Sequence, residues 1–223
     1  MTSRCLFLTL VLIGAGCRTP EVKPLLNEPV DLGLANSSAR MIALQGCGSW
    51  KDLLICTIPE MDESASLRFV EKVVRLGYRS LWVRTPPPAD SAAAAALLQA
   101  GAARLTTPGK KGVMLFGSWP VCGSALSDTV FQAMIWVTAP GPVQECLGDA
   151  PQSAPAGPRL ALIIPSQKTV TLEPAWRMRL AAAEDLVWLA TSQPDITLLQ
   201  SDLEPIVRRK TQLFFDRYLK GKK

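Results

Sequence analysis

Short apolar runs alternate along the chain with segments whose apolar residues recur at helical spacing. Met41–Leu44 predicts a first short strand, and Asp52–Ile58 (DLLICTI), closed by Pro59, predicts one buried on both faces. Ser64–Leu76 (SASLRFVEKVVRL) places Leu67, Val70, Val73 or Val74, and Leu76 on one helical face, with Gly77 as the stop signal. Ser80–Val83 is the next strand, halted by Pro86-Pro87-Pro88, and the alanine-rich Ala92–Leu105 is a strong helix former. Gly109-Lys110-Lys111-Gly112 turns the chain into a strand at Val113–Phe116. A helix of small residues is expected over Cys122–Met134, a strand at Ala133–Val137, and an exposed loop over Gly148–Pro158. Leu160–Ile164 and Asp185–Ala190 are the remaining strands, with a helix over Leu172–Ala183 between them. Leu203–Leu219 closes the chain as an amphipathic helix, with Ile206, Leu213, Phe214 and Tyr218 available for packing. Strands alternating with helices predict the α/β class: a mostly parallel sheet with helices on both faces.

The N-terminal end departs from this pattern. Arg4 supplies a positive start, Leu6–Ile13 an apolar segment, and Gly14-Ala15-Gly16 small residues leading to Cys17, the arrangement of an export signal. The apolar segment is too short for a stable transmembrane helix. Gly14-Ala15-Gly16-Cys17 resembles the lipobox of bacterial lipoproteins, whose pattern is Leu-Ala-Gly-Cys; here Gly14 stands in the aliphatic place and Ile13 one position earlier. That resemblance implies removal of residues 1–16, acylation of Cys17 (palmitate labelling would report it) and a lipid tether to a membrane. Arg18, rather than Asp, follows the cysteine, which for such lipoproteins implies the outer membrane, facing the periplasm. The competing reading is an ordinary signal peptide with a chance cysteine. Residues 17–38, rich in Pro, Asn and Ser, are expected to form a flexible tether, and 39–223 a single domain.

Composition changes the picture at one point above all. Among 223 residues there is no histidine. The side chain whose unperturbed pKa lies nearest neutrality is absent, so Ser-His-Asp and Cys-His mechanisms are excluded, as are His-containing zinc sites. The net charge of +5 is mild, and the basic cluster Arg208-Arg209-Lys210 with Lys220, Lys222 and Lys223 reads as a solvated helix end without a nucleic-acid recognition motif. Cys47, Cys56, Cys122 and Cys146 would permit up to two disulfides in an oxidising compartment, in three possible connectivities, while Cys56 and Cys122 also suit buried thiols.

From about residue 50 onward, the order of segments resembles the α/β-hydrolase superfamily, in particular its dienelactone-hydrolase and prolyl-peptidase-like branches. The residues that carry the resemblance are DLLICTIPEMDESASLRFVEKVVRLGYRSLWVRTP, then VMLFGSW as the strand entering a nucleophile elbow, and LFFDRYLKG (Leu213–Gly221) as the closing helix. The resemblance implies an elbow of pattern Gly-x-Ser-x-Gly, an acid after the Leu160–Ile164 strand, a histidine after the Asp185–Ala190 strand and an oxyanion loop after the Asp52–Ile58 strand. With Ser118 as nucleophile, Phe116 and Pro120 take the glycines' places; registers on Trp119 or Cys122 fit no better. The acid's turn, Pro165–Thr169, holds no carboxylate, with Glu173 further along, and Thr191–Asp195 stands where the histidine belongs. Thr57–Met61 makes a poor anion site, because Pro59 lacks a donor and Glu60 repels negative charge.

These departures predict a noncatalytic hydrolase-like domain that binds a ligand or an envelope protein, with a divergent esterase- or peptidase-like serine hydrolase as the alternative. Residual catalytic candidates are Ser118 and Lys168, as a Ser-Lys pair; Gly117, Ser118, Trp119 and Cys122 are candidates for a pocket or elbow, and Cys17 for lipid attachment. Glu60 and Asp62 suit a solvated helix start better than an acid-base pair. The tryptophans near predicted strands, Trp50, Trp82, Trp119, Trp136 and Trp188, read mainly as core, with Trp119 a candidate for a partner surface. No cofactor, metal or Gly-rich phosphate loop is indicated.

Overall fold

A computed structural model describes residues 23–34, 37–46, 51–106, 109–120, 130–139, 158–167, 185–192 and 195–220. Eight strands form one sheet: β1 (Leu25–Val30), β2 (Ser38–Leu44), β3 (Lys51–Thr57), β4 (Tyr78–Arg84), β5 (Lys111–Phe116), β6 (Ala133–Val137), β7 (Arg159–Ser166) and β8 (Leu186–Ala190). Their order is β1-β2-β4-β3-β5-β6-β7-β8. The β1/β2 and β2/β4 pairs are antiparallel and the other five parallel, so the α/β class expected from the alternation is the one observed.

The buried strands alternate their side chains between two apolar layers. Leu53, Ile55, Met114, Phe116, Ile135, Val137 and Ile163 enter one layer. Leu54, Cys56, Val113, Leu115, Trp136, Leu162 and Ile164 enter the other. Helix α1 (Glu63–Arg75) covers the first layer with Phe69, Val70, Val73 and Val74. It starts at Asp62, whose carboxylate accepts the Ala65 N–H at 2.6 Å, a side-chain N-cap. Helix α2 (Ser91–Arg104) covers the second layer through Ala94, Leu97, Leu98 and Ala102. Helix α3 (Glu204–Tyr218), preceded by a short 3-10 turn at Asp195–Gln200, lies on the first layer beside α1.

Three expectations change here. The stretch read as a tether, 17–38, includes β1: Leu25–Val30 pairs with β2 in a six-residue antiparallel register, and Pro29 is tolerated because β1 is an edge strand. The helix expected to run to Met134 does not, since Ala133 and Met134 already belong to β6; residues 121–129 lie outside the described residues, as does the helix expected over 172–183. The closing helix packs through Val207, Thr211, Phe214 and Phe215, whereas Ile206 and Leu213, expected in its packing face, are 43% and 52% exposed. Among the described residues no helix is long and apolar enough to cross a membrane.

Candidate functional site

Strand β5 is buried from Gly112 to Phe116 and ends in a sharp turn at Gly117, whose φ is +92°. The Gly117 N–H donates to the Val137 carbonyl at 2.9 Å, so the ladder with β6 continues into the turn. Three further bonds fix the turn. The Gly117 carbonyl accepts from the Trp119 N–H at 3.1 Å and from the Trp136 indole N–H at 2.8 Å. The Trp119 indole N–H donates to the Phe116 carbonyl at 2.9 Å. Trp119 is therefore 1% exposed and anchors the turn from within, a correction to its candidacy for a partner surface. Ser118, next to it, is exposed.

In a nucleophile elbow the reacting residue sits on the strained strand-to-helix turn itself. Here the positive φ after β5 falls on Gly117, one residue before Ser118. A left-handed φ disfavours any L side chain, and a Cβ on Gly117 would stand 3.0 and 3.2 Å from two carbons of Ile58. The strained position of this turn is thus held by a residue without a side chain, with an isoleucine against the place of its missing Cβ. The signal was available in the sequence, as a glycine directly after an apolar strand run, the usual mark of a positive φ.

The loop between β3 and α1, where an oxyanion donor would be sought, is held by Arg84 at the end of β4. Its guanidinium donates to the carbonyls of Pro59 and, at 3.4 Å, Met61, and lies 3.7 Å from the Glu63 carboxylate. The Met61 N–H is spent on the Ile58 carbonyl at 3.1 Å. Glu60 is exposed, and Asp62 serves as the cap of α1. Hydrogen bonds from the Ser64 hydroxyl and then the Ala65 N–H hold the Asp62 carboxyl below its usual range. Thr191 and Ser192, where the resemblance places a histidine, follow β8, with the Thr191 N–H on the Ser166 carbonyl at 3.3 Å. Lys168, Cys122, Glu173, Cys17, Cys47 and Cys146, and with Lys168 the expected Ser118–Lys168 pair, lie outside the described residues. Cys56 is a free thiol, buried in the second layer, and burial pushes its pKa up. A half-open recess of about 50 Å³ lies elsewhere, between α3 and strands β6–β8, lined in part by Ile163, Val187, Leu213 and Arg217.

The fold recurs among solved structures. The dienelactone hydrolase of Anabaena variabilis superposes with a TM-score of 0.58 at 13% identity, over 88% of this chain and 99% of that one. The fold here is the α/β-hydrolase fold. A CIB-like hydrolase of Thermoplasma acidophilum gives a TM-score of 0.59 at 11% identity, over 86% of this chain and 98% of the other. An esterase of Pyrococcus furiosus gives 0.53 at 13% identity, over 88% and 93%. No family model and no curated protein matches the sequence. At these identities the neighbours establish the α/β-hydrolase fold and leave chemistry to the residues themselves.

Proposed function

We propose that this chain is a membrane-tethered envelope lipoprotein whose α/β-hydrolase-like domain is noncatalytic and binds a ligand or another envelope protein. The observation that carries the reading is Gly117: the strained position of the elbow holds glycine, with Ile58 against the place of its missing Cβ. A chain without histidine also lacks the usual base for a serine nucleophile. Tethering rests on the lipobox-like Gly14-Ala15-Gly16-Cys17, and the outer membrane, facing the periplasm, on Arg18.

A second reading, a divergent esterase- or peptidase-like hydrolase, is favoured by one observation. Ser118 is exposed at the carboxyl edge of the sheet, in a fold whose neighbours are described as hydrolases and esterases. A fluorophosphonate probe and a panel of ester and peptide substrates separate the two. The noncatalytic reading expects neither labelling nor turnover; labelling abolished by Ser118→Ala would overturn it. Palmitate incorporation lost in Cys17→Ser supports the tether, and incorporation that persists in that variant rules it out.

A further inference from the structure

Helix α3 buries one stripe, Val207, Thr211, Phe214 and Phe215, and turns another outward. At helical spacing the outward stripe is Ile206, Arg209, Lys210, Leu213 and Arg217. Exposed aliphatic side chains on a helix ordinarily sit among polar neighbours of both signs. Here Ile206 and Leu213 are 43% and 52% exposed and interleave with three cations and no acid. Asp202, exposed, precedes the helix, and two further acids nearby are engaged from the flank or from beneath. Asp216 pairs with Lys220 at 2.8 Å and accepts from the Tyr78 hydroxyl at 2.6 Å. Asp185, 6% exposed, lies 3.6 Å from Arg217 and accepts from the Tyr218 hydroxyl at 3.2 Å. Arg217, 41% exposed in its side chain, still presents charge outward.

A cationic stripe that also exposes aliphatic side chains suits the surface of an anionic bilayer, the cations meeting the headgroups and the aliphatic groups the boundary beneath them. We infer that the Ile206–Arg217 face of α3 docks on an anionic lipid surface. The inference deepens the tether reading, on which its geometry rests. Only five residues lie between Cys17 and Lys23, the first described residue, a reach of at most about 20 Å. A domain held that near a bilayer meets it repeatedly. Each basic side chain near an anionic surface contributes a factor of roughly five in partitioning. Two aliphatic side chains, inserted between the cations, add contact that salt does not screen.

The test uses the full chain, purified as the host processes it. A genetically encoded, polarity-sensitive fluorescent amino acid replaces Leu213, or in a control protein the exposed Ala92 of α2, on the other face of the sheet. With vesicles of equal parts phosphatidylcholine and phosphatidylglycerol, emission at 213 is expected to shift to shorter wavelength and to resist iodide quenching, while emission at 92 does neither. Arg209→Gln with Lys210→Gln is expected to weaken this response roughly 25-fold. Protein attached to vesicles with position 213 as quenchable as position 92 overturns the docking face and leaves the Cys17 tether standing. An equal shift on phosphatidylcholine alone overturns the charge argument. Shielding of 213 by heparin or duplex DNA, without any response to vesicles, replaces the lipid with an acidic macromolecule and overturns the proposal.

Discussion

Replacing Gly117 by alanine measures how firmly the elbow excludes a side chain. Alanine normally stabilises a loop where its backbone fits, by about 0.4–1 kcal/mol, because it narrows the unfolded ensemble. At Gly117 two costs oppose that gain. A φ of +92° puts an L residue in a disfavoured region, at about 1–2 kcal/mol. The new Cβ meets Ile58 at 3.0 and 3.2 Å, and since Ile58 is 8% exposed its side chain can yield only by leaving its rotamer, at about 0.5–1.5 kcal/mol. The net expectation is a loss of about 1–2 kcal/mol.

For a chain of 223 residues each kcal/mol lowers the melting temperature by roughly 2–4 °C. Thermal unfolding followed by circular dichroism, with urea titration as a second probe, reads this directly. Ile58→Ala separates the two costs: combined with Gly117→Ala it should be less destabilised than the sum of the singles by about 0.5–1 kcal/mol, while the backbone cost remains. Gly117→Ala equal to or more stable than the native chain would refute the strained turn, and with it the assignment of Gly117 to the nucleophile's place.

The other predictions concern the frame that holds the elbow. Asp52, 1% exposed, accepts two bonds from the Arg79 guanidinium, both 2.9 Å; Arg79→Ala should cost about 3 kcal/mol by denaturant titration, and a loss under 1 kcal/mol would mean that water replaces the pair. A Cβ on Gly112, inside β5, would meet Leu53 and Phe215 at 2.7 Å and Leu219 at 2.9 Å, so Gly112→Ala should cost about 1–3 kcal/mol; a neutral result would show that α3 slides freely over the sheet. Burial, then the hydrogen bond to Asp216 and its charge, raise the Tyr78 pKa. The unfolded chain therefore loses that proton near pH 10 while the folded one keeps it, so stability present below pH about 10 should fall above it, and Tyr78→Phe should flatten the fall.

Much of the frame was legible because its signals are local. DLLICTI and LALII run apolar between proline stops, and both became buried strands of a parallel sheet. β1 escaped because an edge strand buries little: Leu25–Val30 reads as a polar, proline-bearing linker, and only its pairing with β2 makes it a strand. The face of α3 was misjudged for a related reason. Ile206 and Leu213 share a helical stripe as consistently as Val207, Phe214 and Phe215 do, and periodicity alone does not say which stripe meets the sheet. At the elbow the sequence pattern points to the serine, whereas the turn is organised around the positive φ of Gly117, which the sequence marks only by the absence of a side chain.

The same geometry explains how the turn would persist if, as proposed, the domain is noncatalytic. Trp136 and Trp119 donate their indole N–H groups to the Gly117 and Phe116 carbonyls, so the turn closes the end of β5 and seals the second apolar layer. Those bonds end on main-chain carbonyls and need no nucleophile, whereas losing the turn would strand two carbonyls beside buried indoles. On the proposed reading, a hydroxyl placed at position 117 is insufficient for activity. Gly117→Ser in an Ile58→Ala background supplies the oxygen and the room, yet a serine without a base to take its proton is a weak nucleophile. Fluorophosphonate labelling of that double variant should stay at the level of the native chain, checked by intact-mass spectrometry on folded protein. Stoichiometric labelling at position 117 would mean that a group other than histidine already serves as base beside the turn, and the noncatalytic reading would fall with it.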